Sequence, residues 1–386
     1  MRGWGAAAAA CLAVLALFAG SSKAASQTLL VDDDGLQCPT ALYGDIDSAV
    51  ADASGGDTIT VCPGTYDPAT ITKRLVLRGF TPDLSKPSAC ASTGADDDDV
   101  DTVVTGLDVQ ADNVAIIGFT VTGASEGVHV PGSVNAVGIS RSVIEGNSIG
   151  INLNGFSVSA ARNCIRDNDT GIYSDQGLVY GTIVQNAFRT NGDAAITLVG
   201  DGAGSTANVL VDGNSSFGDG DLISLSGVTD STISGNTVTE AVGSGVYVED
   251  GNSGITISKN TLETGEDEGI AFDAHALVPS ADVAVTKNKI TDGATANADG
   301  GIEIYTDSLD DSTFSGNKVA GNGYDGMYVH AGNDGNLFEK NTFKGNRVLD
   351  ASAYDCFDDP GNANTWKNDT GKNENRAGLC KGAKIT

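Results

Sequence analysis

The sequence of 386 residues predicts an all-β solenoid: one elongated domain of stacked coils, each built from three short strands. Two periodic features carry that expectation. A phrase of glycine or a stand-in, an aliphatic, any residue and usually a second aliphatic recurs at Gly127, Gly150, Gly171, Ala195, Leu222, Gly245, Gly269, Gly301 and Gly326, most returns coming after 21 to 27 residues. A column of asparagines keeps the same beat at Asn163, Asn186, Asn214, Asn236, Asn260, Asn288, Asn317 and Asn341, with Ser142 standing in once.

Each coil follows from these two marks. In the strand after the glycine, alternation sends the first and third residues inward and the second and fourth to solvent. A second strand ends just before the asparagine and a third follows it, with a mostly apolar column two residues on, from Ile144 and Ile165 to Val319 and Phe343. Asparagine tolerates the left-handed backbone that a sharp corner needs, and its amide can bond the same group one coil away. The column is therefore expected to be structural rather than catalytic.

The ends depart from the repeat. Arg2, the apolar run Ala6–Ala19 and Ser22-Lys23-Ala24 have the form of a cleaved secretory signal over residues 1–24. Residues 25–56 are expected to form an N-terminal cap, in which Ile46, Ala49, Val50 and Ala53 share one helical face. The repeat then covers 57–350 and a C-terminal cap 351–386. No later stretch approaches the ~20 apolar residues of a membrane span.

The chain carries 22 Lys and Arg against 51 Asp and Glu, a formal charge of −29. Such a surface repels nucleic acid and polyanionic glycans unless cations intervene, and it keeps an exported rod soluble. Six cysteines follow the signal, an even number that suits an oxidising compartment. Cys38 and Cys62 are one coil apart, as are Cys356 and Cys380, so each pair is expected to bridge; Cys90 and Cys164 are either a third pair or free thiols. Asp32–Asp34 and Asp96–Asp99 with Asp101 are hard-oxygen clusters of the kind that can hold calcium.

The repeat, the opening strand and turn Gly56–Tyr66 and the helical face before them resemble the right-handed parallel β-helix proteins. The resemblance is to the pectate-lyase-like superfamily, especially its NosD-like repeat branch, and covers about Thr28 to Cys380. It implies a right-handed parallel β-helix of about eleven or twelve coils with an N-terminal capping helix. It also implies that a polysaccharide partner would lie along the Gly-aliphatic strand face. The superfamily hosts several reactions, so the fold alone names none.

On that face the outward pairs change character in the last four coils: Tyr247/Glu249, Ala271/Asp273, Glu303/Tyr305 and Tyr328/His330. Two insertions, Asp273–Ala281 and Asp292–Gly300, flank Asp273 and Glu303 and would wall a cleft. Coil stacking puts Glu249 and Asp273 about 5 Å apart and the α-carbons of Asp273 and Glu303 roughly 8 Å apart. These resemble the retaining and inverting carboxylate spacings of glycosidases.

The leading expectation is a secreted β-helix protein that binds or processes polysaccharide; hydrolysis is the preferred reaction, with Asp273 and Glu303 as acid and base and Glu249 as a third carboxylate. His330 would orient Asp273 or relay its proton, His275 is a second such candidate, and Tyr247, Tyr305 and Tyr328 would stack sugars. The sequence lacks the Arg-x-Pro-x-x-Arg of pectate lyases and the Gly-His-Gly and Arg-x-Lys of polygalacturonases, and it offers no outward basic residue to abstract a sugar proton. Lyase and epimerase chemistry is therefore less supported. A non-catalytic adhesive module and a NosD-like metal-delivery accessory are the alternatives.

Overall fold

The computed structural model describes residues 26–80, 90, 101–200, 205–265, 267–275, 278–292, 300–346, 348, 350 and 352–380. The signal segment and Asp96–Asp99 lie outside them. Three parallel sheets of 12, 14 and 12 strands run the length of the molecule, each new strand hydrogen-bonded to its counterpart one turn earlier. The front sheet runs from Ala69–Ile71 to Cys356–Asp358 and contains the Gly-aliphatic strands. The second sheet runs from Thr28–Val31 to Thr365–Lys367, and the third from Gly64–Tyr66 to Thr342–Lys344.

Register explains why a repeating sequence gives a stack. Ile223, Val246, Ile270, Ile302, Met327 and Cys356 pair in one line from rung to rung, and all are buried. Each buried aliphatic contributes about 1.5–3 kcal/mol by leaving water. A second interior line is aromatic: Phe272, Phe314, Phe338 and Trp366 meet at centroid distances of 5.8, 5.0 and 4.3 Å. The helix Ile46–Asp52, capped by the Asp45 carboxylate on the Ser48 amide, turns Ile46, Ala49 and Val50 onto the first strands of the stack.

The asparagine column forms a continuous ladder from Asn163 to Asn341. Each side-chain Nδ2 donates to the next Oδ1 at 2.9 to 3.1 Å, and Asp369 takes the final donor. The corner differs from the expectation of a left-handed asparagine. The left-handed residue is the one before the asparagine, as at Arg162, Gln185, Lys259, Lys287 and Lys340, with Gly213, Gly235 and Gly316 at equivalent positions. The buried amide must face its neighbours, so the solvent-facing residue beside it takes the turn. A second ladder, five residues on, links Asn147, Asn168, Asn191 and Asp219. Burial pushes the Asp219 carboxyl up to about 6.

Three disulfides form: Cys38–Cys62, Cys356–Cys380 and Cys90–Cys164. The third joins the segment before the strand Thr102–Val104 to the outer face of the third sheet, where Cys90 packs against Val143 and Cys164. Outward positions are not all exposed: Asn154 is fully buried, accepting from the Ser174 hydroxyl and the amides of Asp175 and Gln176.

Asn236→Ala is expected to lower stability by about 3 kcal/mol, because it orphans the amide groups of Asn214 and the Val211 carbonyl. Lys259→Gly, which relieves a left-handed side-chain residue, is expected to raise stability by up to ~1 kcal/mol. Denaturant melts check both; the reverse order of effects would return the strained corner to the asparagine.

Candidate functional site

Two outward columns organise the front face. By register, Tyr247, Ala271, Glu303, Tyr328 and Phe357 follow one another along the first. The next outward residues, Glu249, Asp273, Tyr305, His330 and Asp359, form the second. A third line lies at the strand entrance, just before the repeat glycine, where Asp221, Ser244 and Glu268 follow one another on successive rungs. Asp221, Glu268 and Phe357 are not among the residues expected from the sequence. The first two were readable as polar residues at one fixed repeat position; Phe357 was hidden because its rung, Cys356-Phe357-Asp358, has lost the glycine.

The columns are joined by hydrogen bonds. The Tyr247 hydroxyl donates to Asp273 at 3.2 Å, and the Ala274 amide donates to the other oxygen of that carboxylate at 2.7 Å. His275 bridges two carboxylates, 3.4 Å from Asp273 and 3.9 Å from Glu249, and its side chain is 63% exposed. His330 is placed differently from the expectation: its Nε2 lies 2.7 Å from Glu303, so Glu303 rather than Asp273 is its partner. One rung separates Glu303 from His330 whereas two separate His330 from Asp273, and Tyr305 stands between them in the column.

The entrance line is a chain of its own. The Ser244 amide donates to Asp221 at 2.7 Å, the Ser244 hydroxyl to Glu268 at 3.2 Å, and the Tyr305 hydroxyl to the other Glu268 oxygen at 2.7 Å. Ala271 faces outward by position yet is fully buried. The tyrosines therefore hold carboxylates more than they present open faces. Tyr328 stacks on Phe357 at 4.1 Å with 9° between ring planes and meets His330 at 4.1 Å, leaving its edge at the surface.

Burial and crowding of like charge set the protonation of this face. Burial raises the Asp221 carboxyl to about 7 against the Ser244 amide, with Asp267, Glu249 and Glu268 adding to the rise. Glu249 is raised by burial and by Asp250 and Asp273, opposed by His275. The Tyr247 and Tyr328 hydroxyls are held above their ordinary value by burial and neighbouring carboxylates, so both remain donors.

Two other polar sites stand apart. His129 lies 2.9 Å from Asp108 on an early rung of the same sheet. Asp32, Asp33 and Asp34 bring carboxylate oxygens within 4.8 Å of one another, and these side chains already accept the amides of Cys38, Thr65 and Leu36. Among the described residues this is the one close group of potential metal ligands, and it contains no histidine or cysteine. Of the walls expected from the insertions, 276–277 and 293–299 lie outside the described residues.

Residues 126–279 and 221–382 match the family described as "Right handed beta helix region". The chain belongs to this β-helix family. Among solved structures it is similar to the A-module of the Azotobacter vinelandii mannuronan C-5 epimerase AlgE6, with 15% identity, a TM-score of 0.53 and coverage of 85% of this chain and 91% of that one. It is also similar to the catalytic unit of a GH87 α-1,3-glucanase from Streptomyces thermodiastaticus strain HF3-3, with 17% identity, a TM-score of 0.54 and coverage of 89% and 67%. The Dettilon tailspike protein gives 13% identity and a TM-score of 0.59; there 75% of this β-helix covers 61% of the tailspike, less than two thirds of its length. At these identities the likeness establishes the fold alone. No curated protein matches the chain by sequence.

The Asp221 shift gives this β-helix a signed pH dependence. A carboxyl at about 7 in the folded chain and near 3.8 when unfolded favours folding fully below the unfolded value. That contribution is lost as pH rises through the window between the two. Asp221→Asn is expected to flatten the stability profile over that window and to be the more stable protein at pH 8, by ~1–3 kcal/mol. Denaturant melts at several pH values test it; an unchanged slope would show that Asp221 ionises freely.

Proposed function

We propose that this β-helix is an extracytoplasmic protein that binds a polysaccharide along the front sheet and hydrolyses it with the carboxylates of its last rungs. The observation that carries the reading is the pairing of Glu249 and Asp273. They occupy adjacent rungs of one column, share His275, and differ in surroundings. Burial and neighbouring charge favour a proton on Glu249, whereas Asp273 accepts two hydrogen bonds that fix its direction. Carboxyls whose environments separate their roles are the usual basis of acid and base work at neutral pH.

In this reading Glu249 gives its proton to the leaving glycosidic oxygen and Asp273 meets the anomeric carbon, with rung spacing of the retaining kind. Glu303, held by His330, serves the adjoining sugar or takes the base role in an inverting arrangement. The disulfides support the extracytoplasmic placement. Polysaccharide chemistry also agrees with the names of two structural relatives, an epimerase of mannuronan and an α-1,3-glucanase. A second reading, binding without cleavage, is favoured by the internal hydrogen bonds that already engage Glu268, Asp273 and Glu303.

Glu249→Gln and Asp273→Asn are each expected to lower release of reducing ends by about a thousandfold while leaving binding and melting temperature near those of the parent. Retained turnover in the folded double variant would remove this carboxylate pair. Binding with no cleavage by the parent across a polysaccharide panel would establish the second reading.

A further inference from the structure

The distribution of charge around the rod is strongly uneven. None of the front-sheet strands, from Ala69–Ile71 to Cys356–Asp358, contains a lysine or arginine, although the chain has 22. The cations sit elsewhere: Lys259, Lys287 and Lys340 at the corner before the asparagine ladder, and Arg166, Arg189 and Lys289 on the third sheet. The front face instead carries Glu249, Asp273 and Glu303, flanked by the entrance carboxylates Asp221 and Glu268. A separate observation concerns shape. Tyr328 and Phe357 put ring edges on consecutive rungs, and Tyr354 extends the row at 5.7 Å from Phe357. Rungs spaced at about 4.8 Å match roughly one sugar ring each.

We infer that the glycan accepted by this face carries no acidic groups: it is built from neutral or amine-bearing sugars, and polyuronates are excluded. This rests on the polysaccharide reading above and narrows it. A uronate chain lying along the rungs would set a carboxylate beside each of these fixed ones, with no guanidinium or ammonium of the front strands to receive it. Neutral hydroxyls can donate to the same carboxylates, and a protonated sugar amine would pair with them.

Affinity electrophoresis of the whole protein at low ionic strength tests this, using an α-1,3-glucan, a β-glucan, partly deacetylated chitin, polymannuronate and polygalacturonate, each with EDTA or with calcium. Retardation by at least one glucan or the amino-sugar polymer is expected, with polyuronates at least ~10-fold weaker in EDTA. Loss of binding on adding salt assigns the amino-sugar source; salt-insensitive binding assigns the neutral one. Ser224→Lys, in the column before Tyr247 and outside the proposed machinery, is expected to increase polyuronate binding several-fold. Polyuronate binding by the parent in EDTA equal to that of neutral glycans would overturn the substrate class and leave the polysaccharide reading standing. Absence of binding to every polymer, with or without calcium, would overturn both.

Discussion

Parallel pairing between successive rungs is the interaction on which the rest of this structure depends. It brings each residue within about 4.8 Å of the residue at the same repeat position one turn away. A column must therefore be compatible with itself. Aliphatics satisfy that requirement inside the rod and asparagines at the corners, because an amide both donates and accepts and can hydrogen-bond to its own kind indefinitely. Carboxylates do not. Where an acid enters a column it needs a donor or ends the series, as Asp219 and Asp369 end their ladders.

The front face applies the same rule to charged groups. Asp221 and Glu268 share a column but Ser244 stands between them and donates to both, through its amide and its hydroxyl. Glu249 and Asp273 are direct neighbours and are the pair bridged by His275. The next two positions, Tyr305 and His330, carry no fixed negative charge, and each turns to a carboxylate of another column. The raised carboxyls are the remaining electrostatic cost. Burial, reinforced by neighbouring carboxylates, holds Asp221 partly protonated near neutral pH, which lowers the charge of the face without a lysine or arginine.

Much of this was legible in the sequence because columns are periodic. The glycine phrase located every front strand from Glu126–Val130 to Met327–Val329, and the asparagine beat predicted the ladder that forms. The equal spacing of Cys38–Cys62 and Cys356–Cys380 predicted bridges that are present. What was not legible is lateral. Alternation shows that Asp273, Glu303 and His330 face outward, but which carboxylate a histidine meets depends on side-chain reach between columns, so His330 was matched to Asp273 and is found on Glu303. Likewise the corner needs one left-handed residue, and composition pointed to asparagine. The buried amide network decides otherwise, since Asn260 can bond Asn236 and Asn288 only while Lys259 takes the turn.

The consequence for function is that this rod separates two tasks which compact domains often combine. Corners and interior consist of interlocked ladders, so register cannot slip without breaking amide bonds on each rung from Asn163 to Asn341, and the outward columns are free to vary. A one-rung change on the front face alters the surface at a single point along the rod and leaves the ladders intact. Ala271 shows the limit of that freedom. It lies outward between Tyr247 and Glu303 and is nonetheless fully buried, while the Tyr305 hydroxyl on the next rung is engaged by Glu268. A fully buried alanine leaves no room for a bulky residue unless its neighbours move. The small residue in the middle of an otherwise large and polar column is thus tied to the arrangement of its neighbours, and the site is a set of coupled columns rather than a row of independent side chains.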